Sequence, residues 1–278
     1  SATRKHGIML IAAGAIGFSS IIIFTRLITG LTSPGIAFFR ALTSFCFFSA
    51  LLPWFPVTLQ IRRYRSEIIR LVGLGLTVGC TGMLYVYAVR YTTAANAVLL
   101  NNTSTVYVAL LAPWLLREPR GRYTWPSVGL ALAGIICIAD PAGLRWASSE
   151  FRGIVAGTLS GVSYALTMLL SRRLRGRVSG VTQVWWSTGI AALLALPWAF
   201  QAPASVVARN LPYILALGVL AQGLPYMLYF LGLERIPAQV VSIVALLEPV
   251  SGILIGMLLY REMPTAVGVV GIFLVLAG

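Results

Sequence analysis

The sequence predicts an all-α integral membrane protein whose ten transmembrane helices form two inverted five-helix repeats (5+5), with both termini cytoplasmic. Three observations carry that expectation. Of the 278 residues 58% are hydrophobic and only 10% are charged, and the mean hydropathy is +0.88, so there is too little polar surface to cover a water-soluble globule. Apolar runs of about 20 residues recur along the chain, long enough to cross the hydrocarbon core as helices, and the strict alternation of an outer-membrane barrel is absent. Residues 85–118 align without a gap on residues 229–262, which marks an internal duplication.

The spans are expected at roughly 7–29, 34–56, 68–90, 94–115, 124–140, 152–171, 181–200, 210–232, 237–259 and 264–278. The first follows the basic "TRKH" and is read as a span rather than a cleavable signal peptide, because a second copy opening with "FRGIV" matches its "HGIML". Pro34, Pro141, Pro203, Pro237 and Pro264 sit at or beside boundaries, where a missing N–H does least harm. Connections are short, so no soluble domain is expected between helices. The last run is short, and a polar tail beyond Gly278 is expected.

Within the duplication, Tyr85/Tyr229, Ala94/Ala238, Val106/Val250, Leu110/Leu254, Leu115/Leu259, Arg117/Arg261 and Glu118/Glu262 are identical. The two repeats are residues 1–145 and 146–278, together one membrane domain. Five spans per copy is an odd number, so the second copy enters the membrane upside down. Basic flanks set the orientation. With the N-terminus inside, fourteen of the 21 Lys and Arg residues, Arg62, Arg63, Arg172, Arg173 and Arg177 among them, fall on the inner side. Six fall outside (Arg26, Arg90, Arg145, Arg152, Arg209 and Arg261), and Arg40 lies within a span. The +14 net charge is thereby explained by loops facing anionic headgroups, and no nucleic-acid partner is expected.

The 5+5 layout, the Ala94-x-x-Ala97-x-Leu99-Leu100 start of the fourth span and "LLEPVSGILIGMLLYRE" (246–262) together resemble the EamA branch of the drug/metabolite transporter superfamily over essentially the whole chain. Within that branch the chain is similar, by general likeness, to the YddG-type aromatic amino-acid exporters of bacterial inner membranes. The resemblance implies a multi-pass inner (plasma) membrane secondary transporter, not an enzyme. It would export small amphipathic metabolites, above all aromatic or bulky apolar amino acids, by alternating access through a central cavity between the repeats. A drug or other-metabolite exporter of the same fold, or a passive solute channel, stands as the alternative. One departure is Thr105, which occupies the position equivalent to Pro249, so the two halves are not expected to bend alike.

Polar groups inside spans are costly unless they face protein, water or a ligand. "NNTST" in the fourth span supplies Asn101, Asn102 and Ser104, and the duplication sets Ser104 opposite Glu248. These clusters either line a cavity or join helices by hydrogen bonds. Tyr85, Tyr87, Tyr164, Trp185, Trp186, Gln222 and Tyr226 offer stacking faces and orienting groups for a small solute, with ordinary packing as the other reading. Arg40 can snorkel, pair with Glu248 or attract a substrate carboxylate. Glu248 can carry a proton or remain a neutral structural group, and Pro249 is expected to bend the ninth helix by freeing the Ala245 carbonyl.

Trp54, Trp114, Trp125, Trp146, Trp198, Tyr213 and Tyr260 are expected as interfacial anchors. The Gly153/157/161, Gly75/79 and Gly252/256 ladders are expected as close helix contacts, and Cys46, Cys80 and Cys137 as small apolar fillers. His6 is the only histidine, and no phosphate-binding glycine loop is present, so ATP-driven pumping by this chain alone, metal sites and cofactors are not expected. The partners expected are a small-molecule substrate and the lipid bilayer, with no obligatory protein partner evident.

Overall fold

The computed structural model describes residues 2–54, 65–115, 124–139, 148–233, 235 and 244–277. Arg117 and Glu118, Pro141, Trp146, Pro237, the expected boundary at 145/146 and the opening of the ninth expected span lie outside them. Among the described residues the chain is helical and forms no strand. The helices are α1 Ala2–Ser19, α2 Ile21–Leu27, α3 Ser33–Ala50, α4 Ile68–Tyr91, α5 Ala94–Asn102, α6 Ser104–Leu115, α7 Thr124–Ala139 and α8 Ser149–Leu174. They continue as α9 Gly180–Ala195, α10 Ala204–Gly218, α11 Leu224–Leu233, α12 Leu247–Tyr260 and α13 Ala266–Ala277. A π-turn, Val219–Gly223, joins α10 to α11.

Local sequence explains where helices begin. Thr32, Thr93, Ser148 and Ser179 each accept a hydrogen bond from the backbone N–H three residues on, satisfying one of the free donors of a helix start. Pro34 follows in the first turn of α3, and Pro203 caps α10.

Several expected spans are split. The first breaks at Ser20, whose Oγ donates to the Gly17 carbonyl at 2.6 Å, and the fourth at Thr103, whose Oγ1 donates to the Leu100 carbonyl at 2.6 Å. Such hydroxyls offer the backbone an alternative to the helical ladder. The ninth is interrupted by a turn at Leu246. The breaks at Thr103 and Leu246 fall one residue from exact equivalence in the duplication, although only the second half carries the proline.

α4 packs against both α8 and α9, and the glycine ladders make those approaches close. A Cβ on Gly75 would lie 2.4 Å from Ile190, and one on Gly153 would lie 2.9 Å from the Tyr91 backbone. α12 meets α5 in the same way, through Gly252 on Val98 and Gly256 on Ala94. Alongside α3 with α4 inside the first half, the other extensive pairings between the halves are α3 with α9 and α10, α1 with α11 and α12, α5 and α6 with α8, and α7 with α13. The interfaces between the halves join helices before residue 140 to helices after residue 148.

Two charged networks tie the ends of this arrangement. Beyond the C-terminal end of α4, Arg26 Nη1 meets Glu262 Oε1 at 2.6 Å while its Nε and Nη2 donate to the carbonyls of Val89 and Thr92, both at 3.0 Å. Glu262 Oε2 in turn accepts from the Ala94 N–H at 2.7 Å, so the first turn of α5 is held as well. Arg261, at φ 54°, is the one described non-glycine residue with left-handed backbone, and it turns the chain so that Glu262 reaches this position. At the opposite end of α4, buried Glu67 accepts from Arg70 and, at 2.7 Å, from Arg177.

The outside is apolar and the inside holds the polar groups, the reverse of a soluble protein. Met9, Ile69, Leu193, Phe200, Leu258 and Phe273 are exposed, whereas Thr25, Asn101, Ser160, Thr182, Asn210 and Gln222 are buried. Arg4–Leu27, Arg65–Tyr91, Ser149–Leu174 and Ala204–Tyr229 are each long and apolar enough to cross a membrane. The molecule is a multi-pass integral membrane protein. Trp54, Trp114 and Trp125 are exposed, as interfacial anchors require, but Tyr260 is half-buried with Arg26 4.4 Å above its ring. Cys46 and Cys80 are exposed rather than filling gaps between helices, an acceptable place for an apolar thiol in lipid.

Candidate functional site

A cavity of about 70 Å³ lies among α1, α3, α4, α5, α8, α9, the π-turn, α11 and α12. Small residues leave the space: Ala37 and Ala41 on α3, Gly79 and Gly82 on α4, and Ala191 and Ala195 on α9 form part of its wall. Nothing lies within 4 Å of where a Gly82 Cβ would stand.

Seven of the candidate residues meet there: Arg40, Tyr85, Asn101, Tyr164, Gln222, Tyr226 and Glu248. Four of them are placed by a local device. Asn101 sits two residues before the break at Thr103, and its Oδ1 accepts from Ser160 Oγ of α8 at 3.1 Å. Gln222 rides on the π-turn, whose extra residue per turn rotates the side chains that follow, and such turns recur at functional sites. Tyr226 stands edge-on to Phe18, ring centroids 4.9 Å apart.

Glu248 and Pro249 occupy the first turn of α12 rather than the middle of a helix. The interruption falls at Leu246, so the bend expected at Pro249 begins three residues earlier. This explains why a carboxylate and a proline are neighbours. A first turn tolerates the missing proline N–H and favours negative charge through the helix dipole. The Glu248 carbonyl accepts from Ser19 Oγ at 2.7 Å, linking this turn to the break between α1 and α2.

The remaining candidates lie elsewhere. Tyr87 stacks on Tyr91, centroids 4.4 Å apart, and Asn102 donates back to the Val98 carbonyl of its own helix. Ser104 is buried, and its Oγ has no hydrogen-bond partner among the described residues. Trp185 and Trp186 line a separate, almost wholly apolar groove of about 320 Å³ with Phe38, Phe45 and Leu193, and Trp185 Nε1 donates to Ser49 Oγ at 2.9 Å. Phe18, Thr81 and Thr167 line the central cavity and were not singled out from the sequence. Thr81 is four residues before Tyr85, and Thr167 three after Tyr164, so helical spacing from the tyrosines points to both.

No group of three or more His, Cys, Asp or Glu able to hold a metal ion occurs among the described residues. The cavity pairs aromatic faces with a few amides and hydroxyls and one charge of each sign, which suits reversible binding of a small polar or amphipathic molecule. A helical, lipid-facing bundle around such a cavity defines a membrane protein of the transporter class.

The EamA-like transporter family matches residues 5–139 and again residues 151–278, and the chain belongs to that family. An uncharacterized transporter of Archaeoglobus fulgidus is 28% identical over 276 residues, covering 99% of this chain and 95% of the relative. The threonine/homoserine exporter RhtA of Salmonella typhimurium is 26% identical over 248 residues, 88% of this chain and 80% of the exporter. A solved crystal structure superposes with a TM-score of 0.66 at 18% identity, covering 98% of this chain and 94% of the other, a likeness of fold.

Proposed function

We propose that the protein is a secondary exporter of small amphipathic metabolites of the amino-acid kind, working by alternating access. Ten spans in two inverted repeats, 1–145 and 146–278, with both termini on the cytoplasmic side of an inner membrane, would rock about the central cavity. The family assignment and the exporter named among the relatives support the class of function. The observation that carries the reading is the cavity itself: seven polar or aromatic residues from helices of both halves turn toward one space while the outer surface is apolar.

Two kinds of side chain are candidates for the cargo. The likeness to aromatic amino-acid exporters favours aromatic or bulky apolar amino acids. The relative named for threonine and homoserine favours small polar ones. Reconstitution in proteoliposomes with a panel of labelled amino acids, with and without a pH gradient, separates the two. Saturable flux accelerated by substrate on the far side supports a carrier. Flux that neither saturates nor responds to the far side supports a passive channel, and no flux of any amino acid sinks the substrate class.

A further inference from the structure

We infer that the cavity recognises its cargo as a zwitterion, the Arg40 guanidinium taking a carboxylate and the Glu248 carboxylate taking an ammonium group of one small molecule. This rests on the exporter reading and deepens it by assigning the two poles of the site.

Arg40 reaches the cavity from α3 and Glu248 from the first turn of α12, so the poles come from opposite halves of the chain. They make no direct ion pair with each other. No Arg40 nitrogen lies within 4.0 Å of a Glu248 carboxylate oxygen. Arg40 donates no hydrogen bond to another described residue, and its Nε is buried without a partner. The Glu248 carboxylate accepts none either, although its backbone carbonyl is fixed by Ser19, so the turn is anchored while the acid is left free.

Elsewhere the same chain pairs such groups closely. Arg26 meets Glu262 at 2.6 Å, and Arg177 meets Glu67 at 2.7 Å. With only 7 acidic residues against 21 basic ones, an acid and a base held apart at one cavity is a departure from that habit. Unpaired charges at membrane depth are costly, and a ligand carrying both opposite charges relieves both at once. An α-amino acid presents a carboxylate and an ammonium on one carbon, and so offers one partner to each of two poles that make no direct ion pair. The planar fork of Arg40 suits a carboxylate, and the ammonium is a compact donor for Glu248.

The arrangement also selects against other ligands. A simple amine or a simple acid satisfies one pole and leaves the other unpaired in a low-dielectric space. Tyr85, Asn101, Gln222 and Tyr226 then face whatever side chain the zwitterion carries. Because the cargo has no net charge, its passage adds nothing to the charge moved across the membrane.

The test uses the full-length protein, purified and also reconstituted. Ligand-induced thermal stabilisation and competition against uptake are measured with a transported amino acid, its carboxamide, its N-acetyl derivative and the corresponding amine. The parent zwitterion is expected to bind at least tenfold more tightly than each blocked form. Arg40→Gln should lose the preference for parent over carboxamide while keeping the preference over the N-acetyl form, and Glu248→Gln should show the reverse. Arg40→Lys retains the charge and covers the case in which Arg40→Gln does not fold. Equal binding of parent and blocked forms by the wild type overturns the assignment, as do variants that keep both preferences, and in either case the exporter reading stands. If no amino acid binds while another solute is exported by the same vesicles, the zwitterion assignment fails and the transporter class survives. If no solute moves, both fail.

Discussion

Gly82 and Gly161 show how differently two glycines in one bundle are used. A Cβ on Gly161 would lie 2.5 Å from the Leu100 carbonyl and 2.8 Å from Thr103 Oγ1, so α8 rests against the break between α5 and α6 only because that Cβ is missing. Gly82 meets nothing within 4 Å and borders the cavity. Gly161→Ala is therefore expected to destabilise the fold by about 1–3 kcal/mol, whereas Gly82→Val should leave thermal stability in detergent unchanged and raise KM for transport severalfold. Equal loss of stability in the two variants would contradict the cavity as drawn. The same scale shows what the sequence could reveal. Arg40, Asn101, Gln222 and Glu248 were legible because polar side chains in apolar spans are rare. Which side of a helix faces inward was not, because these helices are apolar nearly all round. Tyr85 and Tyr87 are two positions apart, about 200° around a helix, so only one can face a given cavity. Trp185 and Trp186 look alike in sequence, whether they face substrate or the apolar groove they line with α3.

Interruptions, more than whole helices, place the candidate groups. The breaks at Ser20, Thr103 and Leu246 and the π-turn at Val219–Gly223 bring Phe18, Asn101, Glu248 and Gln222 to one place. The duplication foretold that the fourth and ninth spans would be related at this level. The two breaks differ in kind, as the Thr105/Pro249 difference led one to expect: Thr103 breaks its helix without a proline, while Pro249 stands in the first turn after the break at Leu246. Hydroxyl back-bonding of this kind leaves little mark in hydropathy, because Ser and Thr are common in spans. Replacing Pro249 should accordingly matter little: Pro249→Ala is expected to change stability by less than about 1 kcal/mol and to leave transport intact. A stiffened, inactive carrier would instead make the proline itself the hinge.

Across the whole molecule, the most extensive helix packing joins the two halves, and a charged network closes each end of α4. Arg26 and Ala94 from the first half are tied to Glu262 from the second, and Glu67 from the first half to Arg177 from the second. A carrier that exposes one cavity to the two sides in turn must loosen one of these ties while the other holds. Such a motion is open to direct test at Gly82, where a side chain has room and borders the cavity. With Cys46, Cys80 and Cys137 replaced by serine, Gly82→Cys in sealed vesicles is labelled with a membrane-impermeant maleimide added to one side or the other. Labelling from each side is expected, substrate should slow both, and conditions that favour one accessibility should suppress the other. Rapid labelling from both sides at once, unchanged by substrate, would contradict alternating access through this cavity.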